Sequence, residues 1–222
     1  MAASSRGAII LLLWAWPSQA HDVISTKITW TQEISRIVYS HCSRCHRDGG
    51  TAPMALISYR QVRPWAKAIK EEVHERRMPP WGAMKGFGEF RGDNSLSAEE
   101  IHLIADWVEG GAPEGDPQYL PPAVTHHATV APVSANLLIR DGYRVPGSVV
   151  LFAVSPPPGL TAGSSLQAVA VLPDGVSIPL LWLYNFQPKH SRTYPYREPV
   201  RLPAGTTIRI IGAPSLRVRT TR

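Results

Sequence analysis

The chain of 222 residues carries 23 Lys and Arg against 17 Asp and Glu, and its formal charge is +6 at pH 7. Its length favours two modest domains over one large core, since compact domains usually span about 100 to 150 residues. The net positive charge suggests acidic partners or anionic surfaces. Acidic residues are interleaved with the basic ones and no nucleic-acid recognition motif is present, so nucleic acid is not expected as a partner.

Residues 1–20 have the composition of a secretory signal peptide. Arg6 precedes an apolar run over residues 8–16, and a Pro-Ser break and a small-residue end at Ala20 follow it. The run is too short to cross a bilayer as a helix, which needs about 20 apolar residues. We therefore expect a cleaved signal, a periplasmic or secreted mature protein, and no integral membrane span in the mature chain. Retention of the signal as an anchor is the alternative.

Helical periodicity marks the next part of the chain. Residues 30–46 place apolar side chains at helical intervals and predict an amphipathic helix that leads into the two cysteines of the chain. Residues 47–57 hold two glycines and a proline, which indicate an irregular turn. A second helix is predicted over residues 63–77, and it ends at Met78 because the two prolines that follow cannot continue the backbone hydrogen bonding.

A third helix is predicted to begin at Ser97, where Ser97 and Glu100 form a capping box. Residues 117–134 are rich in proline and indicate a stiff linker. From residue 135 to the end the pattern changes to short β-rich runs separated by turns such as Pro-Asp-Gly at residues 173–175, which predicts an all-β, sandwich-like module.

The strongest motif is C-x-x-C-H, formed by Cys42, Cys45 and His46. It is the attachment sequence of c-type haem, in which one turn of helix presents both thiols to the porphyrin vinyl groups and the next residue offers an imidazole to the iron. A redox-active dithiol would be expected after a strand in a βαβ unit, whereas here a helix precedes the cysteines. Zinc would need a fourth ligand, and none is evident. The sequence therefore predicts one covalent haem c.

Residues 28–116 resemble a class I cytochrome c domain in this motif, in the Gly/Pro turn, in the helix that ends in M-P-P, and in the last helix, of the type L-S-x-E-E-x-x-x-I-x-x-W-V-x-x-G-A-P. The resemblance implies an all-α domain, with boundaries at residues 21–116 after the signal. It also implies that the carbonyl of Pro53 accepts a hydrogen bond from the proximal ligand His46. Met78, in M-P-P, matches the family's distal iron ligand.

Two other methionines compete with Met78 for the distal position. Met54 lies only eight residues beyond His46, which leaves little chain to wrap around the porphyrin edge. Met84 is far enough along the chain to reach the opposite face of the porphyrin, but it lies in a glycine-rich loop. Met78 terminates the predicted helix and is followed by stiffening prolines, so its thioether can be presented at low entropic cost. Methionine opposite histidine raises the potential relative to bis-histidine ligation.

Residues 135–222 resemble the C-terminal domain of copper type II, ascorbate-dependent monooxygenases. The resemblance lies in LPDG at residues 172–175, in the aromatic segment around Tyr184, and in EPVRLPAGT at residues 198–206. That family's copper-binding H-x-H pair should precede LPDG, and the segment here, GSSLQAVAV, has no histidine. We therefore do not expect copper.

The remaining histidines offer no replacement for that pair. His126 and His127 are adjacent, and neighbouring side chains of an extended chain point to opposite faces. His190 stands alone in a polar segment.

The sequence thus predicts a multidomain fold, an all-α cytochrome c domain followed by an all-β sandwich-like domain. The expected function is single-electron transfer between redox partner proteins whose identity is unknown, with no catalytic residue. Two alternatives stay open. One is a two-domain haem and copper oxidoreductase in which haem feeds electrons to the β domain, and the other is a haem subunit of a larger exported complex.

Overall fold

The computed structural model describes residues 27–122 and 134–220. The predicted signal peptide, the middle of the predicted linker, and both His126 and His127 lie outside these described residues.

The helices of the N-terminal part are short. Their bounds are α1 Ser35–His41, preceded by a π-helical turn over Trp30–Ile34; α2 Tyr59–Val62; α3 Ala66–His74, joined to α2 by a 3₁₀ turn over Arg63–Trp65; and α4 Ala98–Glu109. Further 3₁₀ turns span Pro117–Tyr119 and Pro188–His190. Within the described ranges no helix is both long and apolar enough to cross a membrane.

Helix α4 shows how local sequence sets these bounds. The hydroxyl of Ser97 accepts a hydrogen bond from the Glu100 amide at 3.1 Å, and the Glu100 carboxylate accepts one from the Ser97 amide at 2.7 Å. This reciprocal pair satisfies two amides that the first turn would otherwise leave unpaired. The predicted capping box is confirmed. The buried side of α4 then packs Ile104 and Trp107 against Trp30 and Ile34 in a small helical core.

The C-terminal part forms two antiparallel four-stranded sheets. The strands are β1 Leu137–Arg140, β2 Tyr143–Arg144, β3 Val149–Ser155, β4 Leu166–Val171, β5 Ser177–Leu183, β6 Tyr194–Leu202, β7 Thr207–Ile211 and β8 Ser215–Thr220. One sheet has the order β1-β8-β3-β6 and the other β2-β7-β4-β5. Strand β6 is therefore an edge strand of the first sheet, and β5 is an edge strand of the second. The apolar side chains of both sheets, such as Leu166, Leu180 and Leu202, are buried together in one core.

The segment between α3 and α4 joins this β core. Trp81, Ala83 and Phe90 are buried among the residues of the two sheets and not with the helices. The segment also pairs with both edge strands, through a bridge between Ala83 and Leu183 of β5 and another between Phe90 and Tyr196 of β6. Residues 81–91, which we call the edge loop, thus pair with edge strand β5 of one sheet and with edge strand β6 of the other.

The predicted fold class, an all-α cytochrome c domain followed by an all-β sandwich-like domain, is wrong. The described residues are mostly β, with eight strands in two antiparallel sheets, and the helices are short and separated by long irregular segments. Glycine and proline interrupt helix formation after α1 and after α3. The edge loop buries its aromatic side chains between the sheets, so the N-terminal part is not a self-contained helical unit.

Candidate functional site

The C-x-x-C-H motif forms a single tight turn at the end of α1. The amide of Cys42 still bonds to the Val38 carbonyl at 2.9 Å and so continues the helix. The carbonyl of Cys42 then accepts from the amides of Cys45 and His46, at 3.1 and 2.9 Å. Both cysteines, the only two in the chain, are partly exposed free thiols. The turn therefore presents two thiols and an imidazole within one short segment.

The imidazole of His46 is oriented by a backbone carbonyl. Its Nδ1 lies 3.1 Å from the carbonyl oxygen of Met54. A carbonyl can only accept, so Nδ1 is the donor, and Nε2 is the ring nitrogen left to act as a ligand. Nε2 has no hydrogen-bond partner among the described residues. Such an outer-shell bond is the usual arrangement behind a metal-bound histidine. The accepting carbonyl belongs to Met54, the residue directly after Pro53.

The loop after the motif is folded tightly back onto it. The amide of Ala52 bonds to the Cys45 carbonyl at 3.1 Å, and the amide of Leu56 bonds to the His46 carbonyl at 2.8 Å. A Cβ placed on Gly50 would lie 2.2 Å from the carbonyl oxygen of Cys45, closer than atoms can approach. Glycine at this position is therefore required for the loop that carries Met54 to reach His46.

The thiol of Cys42 is held in its neutral form. Burial raises its pKa to about 12, and the nearby Cys45 and the carboxylate of Glu100 act in the same direction. Dithiol oxidoreductases need the opposite arrangement, a cysteine whose pKa is lowered so that it attacks as a thiolate. The environment of Cys42 therefore lacks the lowered thiol pKa that a redox-active dithiol needs.

The residue before the motif, His41, is held between two acceptors. Its Nε2 lies 3.0 Å from a carboxylate oxygen of Glu100, and its Nδ1 lies 3.2 Å from the carbonyl oxygen of Asn94. The side-chain amide of Asn94 in turn donates to the His41 carbonyl at 3.0 Å. These contacts fix the end of α1, and hence Cys42, against the start of α4. The sequence analysis did not single out His41 or Asn94, and their separation of more than fifty residues left no local signal.

The three candidate methionines lie in different surroundings. Met78 follows α3 and is 37% exposed. Met78 and Met84 line one small pocket of about 30 Å³, together with apolar residues of α3 and α4 such as Val73 and Ile101. Met54 instead packs against the helical core. Cys42, Cys45 and His46 do not line the pocket of Met78 and Met84, so the structure does not bring the predicted distal ligand and the thiols into one pocket.

The β part is the region that resembles a copper-binding domain. Within the described residues no group of three or more His, Cys, Asp or Glu side chains is arranged to hold a metal ion. His190 is partly exposed, and burial together with the positive charges of Lys189 and Arg192 lowers its pKa. The stretch before LPDG forms β4, whose side chains alternate between buried and half-buried and include no histidine.

Comparison with protein families, with curated proteins and with solved structures finds no match to this chain.

Proposed function

We propose that this protein is an exported c-type cytochrome, which binds one haem covalently through Cys42 and Cys45 and transfers single electrons. The observation that carries the proposal is the His46 ring, which directly follows two free thiols one turn apart and has its Nδ1 bonded to the Met54 carbonyl. The thiols suit thioether bonds, and the lone pair of Nε2 suits an iron ligand. The donor set therefore fits haem c.

Attachment needs no oxidant or reductant. Cys42 and Cys45 would hold the group through thioether bonds, each sulfur joining one vinyl carbon while the thiol hydrogen goes to the other carbon of that double bond. The turn through the Cys42 carbonyl keeps the two sulfur atoms one turn apart for the two vinyl groups. When bound, haem supplies an iron that exchanges one electron between its ferric and ferrous states.

The chain's own groups then orient the iron ligands. The Met54 carbonyl fixes the plane of the His46 ring through the Nδ1 hydrogen bond. Met78 is proposed as the second iron ligand from the protein. A thioether ligand together with an imidazole would favour the reduced iron and so raise the potential. Donor and acceptor are proposed to be other redox proteins outside the cytoplasm, because residues 1–20 have signal-peptide character.

An optical spectrum tests the proposal. The protein is produced in a host with cytochrome c maturation, purified, and measured in the oxidised and the reduced state. We expect the spectrum of a low-spin c-type haem in the wild type. In a Cys42→Ser/Cys45→Ser double variant, haem should be extractable with acidified organic solvent. A wild-type protein without haem absorbance would overturn the proposal.

A further inference from the structure

The edge loop, residues 81–91, carries Met84 and connects the segment of Met78 to the β-sandwich. The amide of Met84 donates to the Trp182 carbonyl at 2.8 Å, and the amide of Tyr184 donates to the Gly82 carbonyl at 3.2 Å. At the other end of the loop, the amide of Arg91 donates to the Pro195 carbonyl at 2.8 Å. These backbone hydrogen bonds pair the loop with the edge strands of both sheets.

A buried tyrosine secures the start of this loop. The hydroxyl of Tyr194 donates to the carbonyl of Trp81 at 2.6 Å, and Tyr194 is only 1% exposed. The two rings also meet edge to face with centroids 5.3 Å apart. The guanidinium carbon of Arg192 lies over the Trp81 ring, 5.2 Å from its centroid, in a cation–π contact.

The Trp81 carbonyl, which accepts the hydrogen bond from Tyr194, lies three residues after Met78 in the chain. The amide of Trp81 bonds to the Pro79 carbonyl at 2.7 Å, so Pro79, Pro80 and Trp81 form one compact turn directly after Met78. The amide of Met78 is held by the Glu72 carbonyl of α3 at 3.2 Å. The segment of Met78 is therefore anchored on one side to a helix and on the other side to the sandwich.

We propose that the β-sandwich serves as a support for the distal iron ligand, and that Tyr194 is a positioning residue for Met78. This inference rests on the proposed haem function, and it gives the β part a role that needs no metal of its own. Without the Tyr194 hydroxyl, the Trp81 carbonyl loses its donor in a buried setting, and the turn after Met78 loosens. A looser turn lets the thioether leave the iron more often and lets other ligands compete for the position.

The test compares two buried tyrosines of the same strand in the full-length haem protein. Tyr194→Phe removes the hydroxyl bonded to Trp81. Tyr196→Phe removes a hydroxyl that donates to the Leu180 carbonyl at 3.0 Å, entirely within the sandwich. Both variants lose one buried hydrogen bond, so their thermal stabilities should fall alike, but only Tyr194→Phe should affect the iron.

Imidazole binding to the ferric protein is the readout. We expect imidazole to bind about fivefold to tenfold more tightly to Tyr194→Phe than to the wild type, since one hydrogen bond is lost from the competing thioether site. The weak charge-transfer absorption of iron–methionine ligation should weaken in parallel. Tyr196→Phe should match the wild type in both. Hydrogen exchange of the Met84 amide, which needs no haem, should also accelerate in Tyr194→Phe alone.

Equal imidazole affinities in the two tyrosine variants would overturn the inference and leave covalent haem attachment intact. A wild type without covalent haem would instead overturn the proposed function and this inference with it. If Tyr194→Phe does not fold, Arg192→Gln provides the second variant, because Arg192 is exposed and its guanidinium lies over the Trp81 ring. It should shift imidazole affinity in the same direction by a smaller factor, and an unchanged affinity would count against the inference.

Discussion

Nε2 of His41 lies 3.0 Å from a carboxylate oxygen of Glu100, and this contact joins the helix that ends at the C-x-x-C-H motif to the first turn of α4. The same carboxyl group caps α4 through the Ser97 amide. One side chain therefore secures both the start of α4 and the position of the C-x-x-C-H turn. Glu100 and Ser97 are both distant in sequence from the motif.

The pH dependence of stability follows from Glu100. Burial acts to raise its pKa, but hydrogen bonds from Ser97 and His41 and the charge of His41 outweigh burial, and the pKa lies below its ordinary value of 4.5. A carboxyl whose pKa is lowered on folding stabilises the fold above its unfolded-state pKa and loses that contribution as pH falls through its folded-state value. The melting temperature of Glu100→Gln should lie below that of the wild type at pH 7, and the gap should close as pH falls below about 4.5. Glu99→Gln, one residue earlier and exposed, is the control and should show no such convergence.

The variant Gly50→Ala tests whether the loop that brings Met54 to His46 has the shape described above. Its Cβ in Gly50→Ala would overlap the Cys45 carbonyl oxygen, a backbone atom that cannot rotate away. We expect a loss of about 1–3 kcal/mol in the free energy of unfolding and a lower yield of haem-loaded protein. Gly147→Ala is the matched control, because no atom lies within 4 Å of its Cβ position and its backbone is not in the left-handed region. Equal stability of the two variants would show that the loop has another shape.

Met78 should be the distal iron ligand. Met78→Ala should abolish the charge-transfer absorption of iron–methionine ligation in the oxidised protein and lower the midpoint potential, because the reduced iron loses its thioether. Met84→Ala and Met54→Ala serve as controls and should keep the band. Met84 is the sharper comparison, since it lines the same small pocket. Survival of the band in Met78→Ala, with its loss in Met84→Ala, would reassign the ligand to Met84.

Phe90 tests whether the edge loop is part of the β core. Its ring is 2% exposed, stacks on Tyr196 with centroids 5.4 Å apart, and lies 5.3 Å from the ring of Tyr194. Phe90→Ala should lower the free energy of unfolding by about 3–5 kcal/mol in urea titrations followed by circular dichroism of the sheets. Phe87→Ala, which removes a half-buried ring that contacts Trp182, should cost clearly less. If unfolding of the sheets is unaffected by Phe90→Ala, the loop does not belong to that core.

Local features of the fold were predictable because their causes lie within a few residues. The capping box of Ser97 and Glu100 is confirmed, as is the turn at residues 173–175, where the Asp174 side chain accepts from the Val176 amide at 3.0 Å. Strand β6 was not predicted, because Pro195 and Pro199 interrupt its pattern. Proline within a sheet is largely confined to edge strands, and β6 is the last strand of its sheet.

The features that depend on distant contacts were not predictable in the same way. Phe90 lies in a glycine-rich segment without periodicity, and only the meeting of β5 and β6 at one side of the sandwich gives it a core to enter. This packing is the reason that the all-α prediction failed. In the site, the turn of Cys42, Cys45 and His46 follows from their spacing. The contacts of His41 with Glu100 and Asn94 depend on how α1 and α4 pack.

The intact mass of the unfolded protein tests the central claim most directly. Thioether bonds to Cys42 and Cys45 would survive denaturation, whereas iron–ligand bonds to His46 and Met78 would not. Protein from a host with cytochrome c maturation, unfolded in acid and analysed by mass spectrometry, should carry the added mass of one haem. The Cys42→Ser/Cys45→Ser variant should carry none. An apo mass in the wild type, with a disulfide between Cys42 and Cys45, would contradict the account.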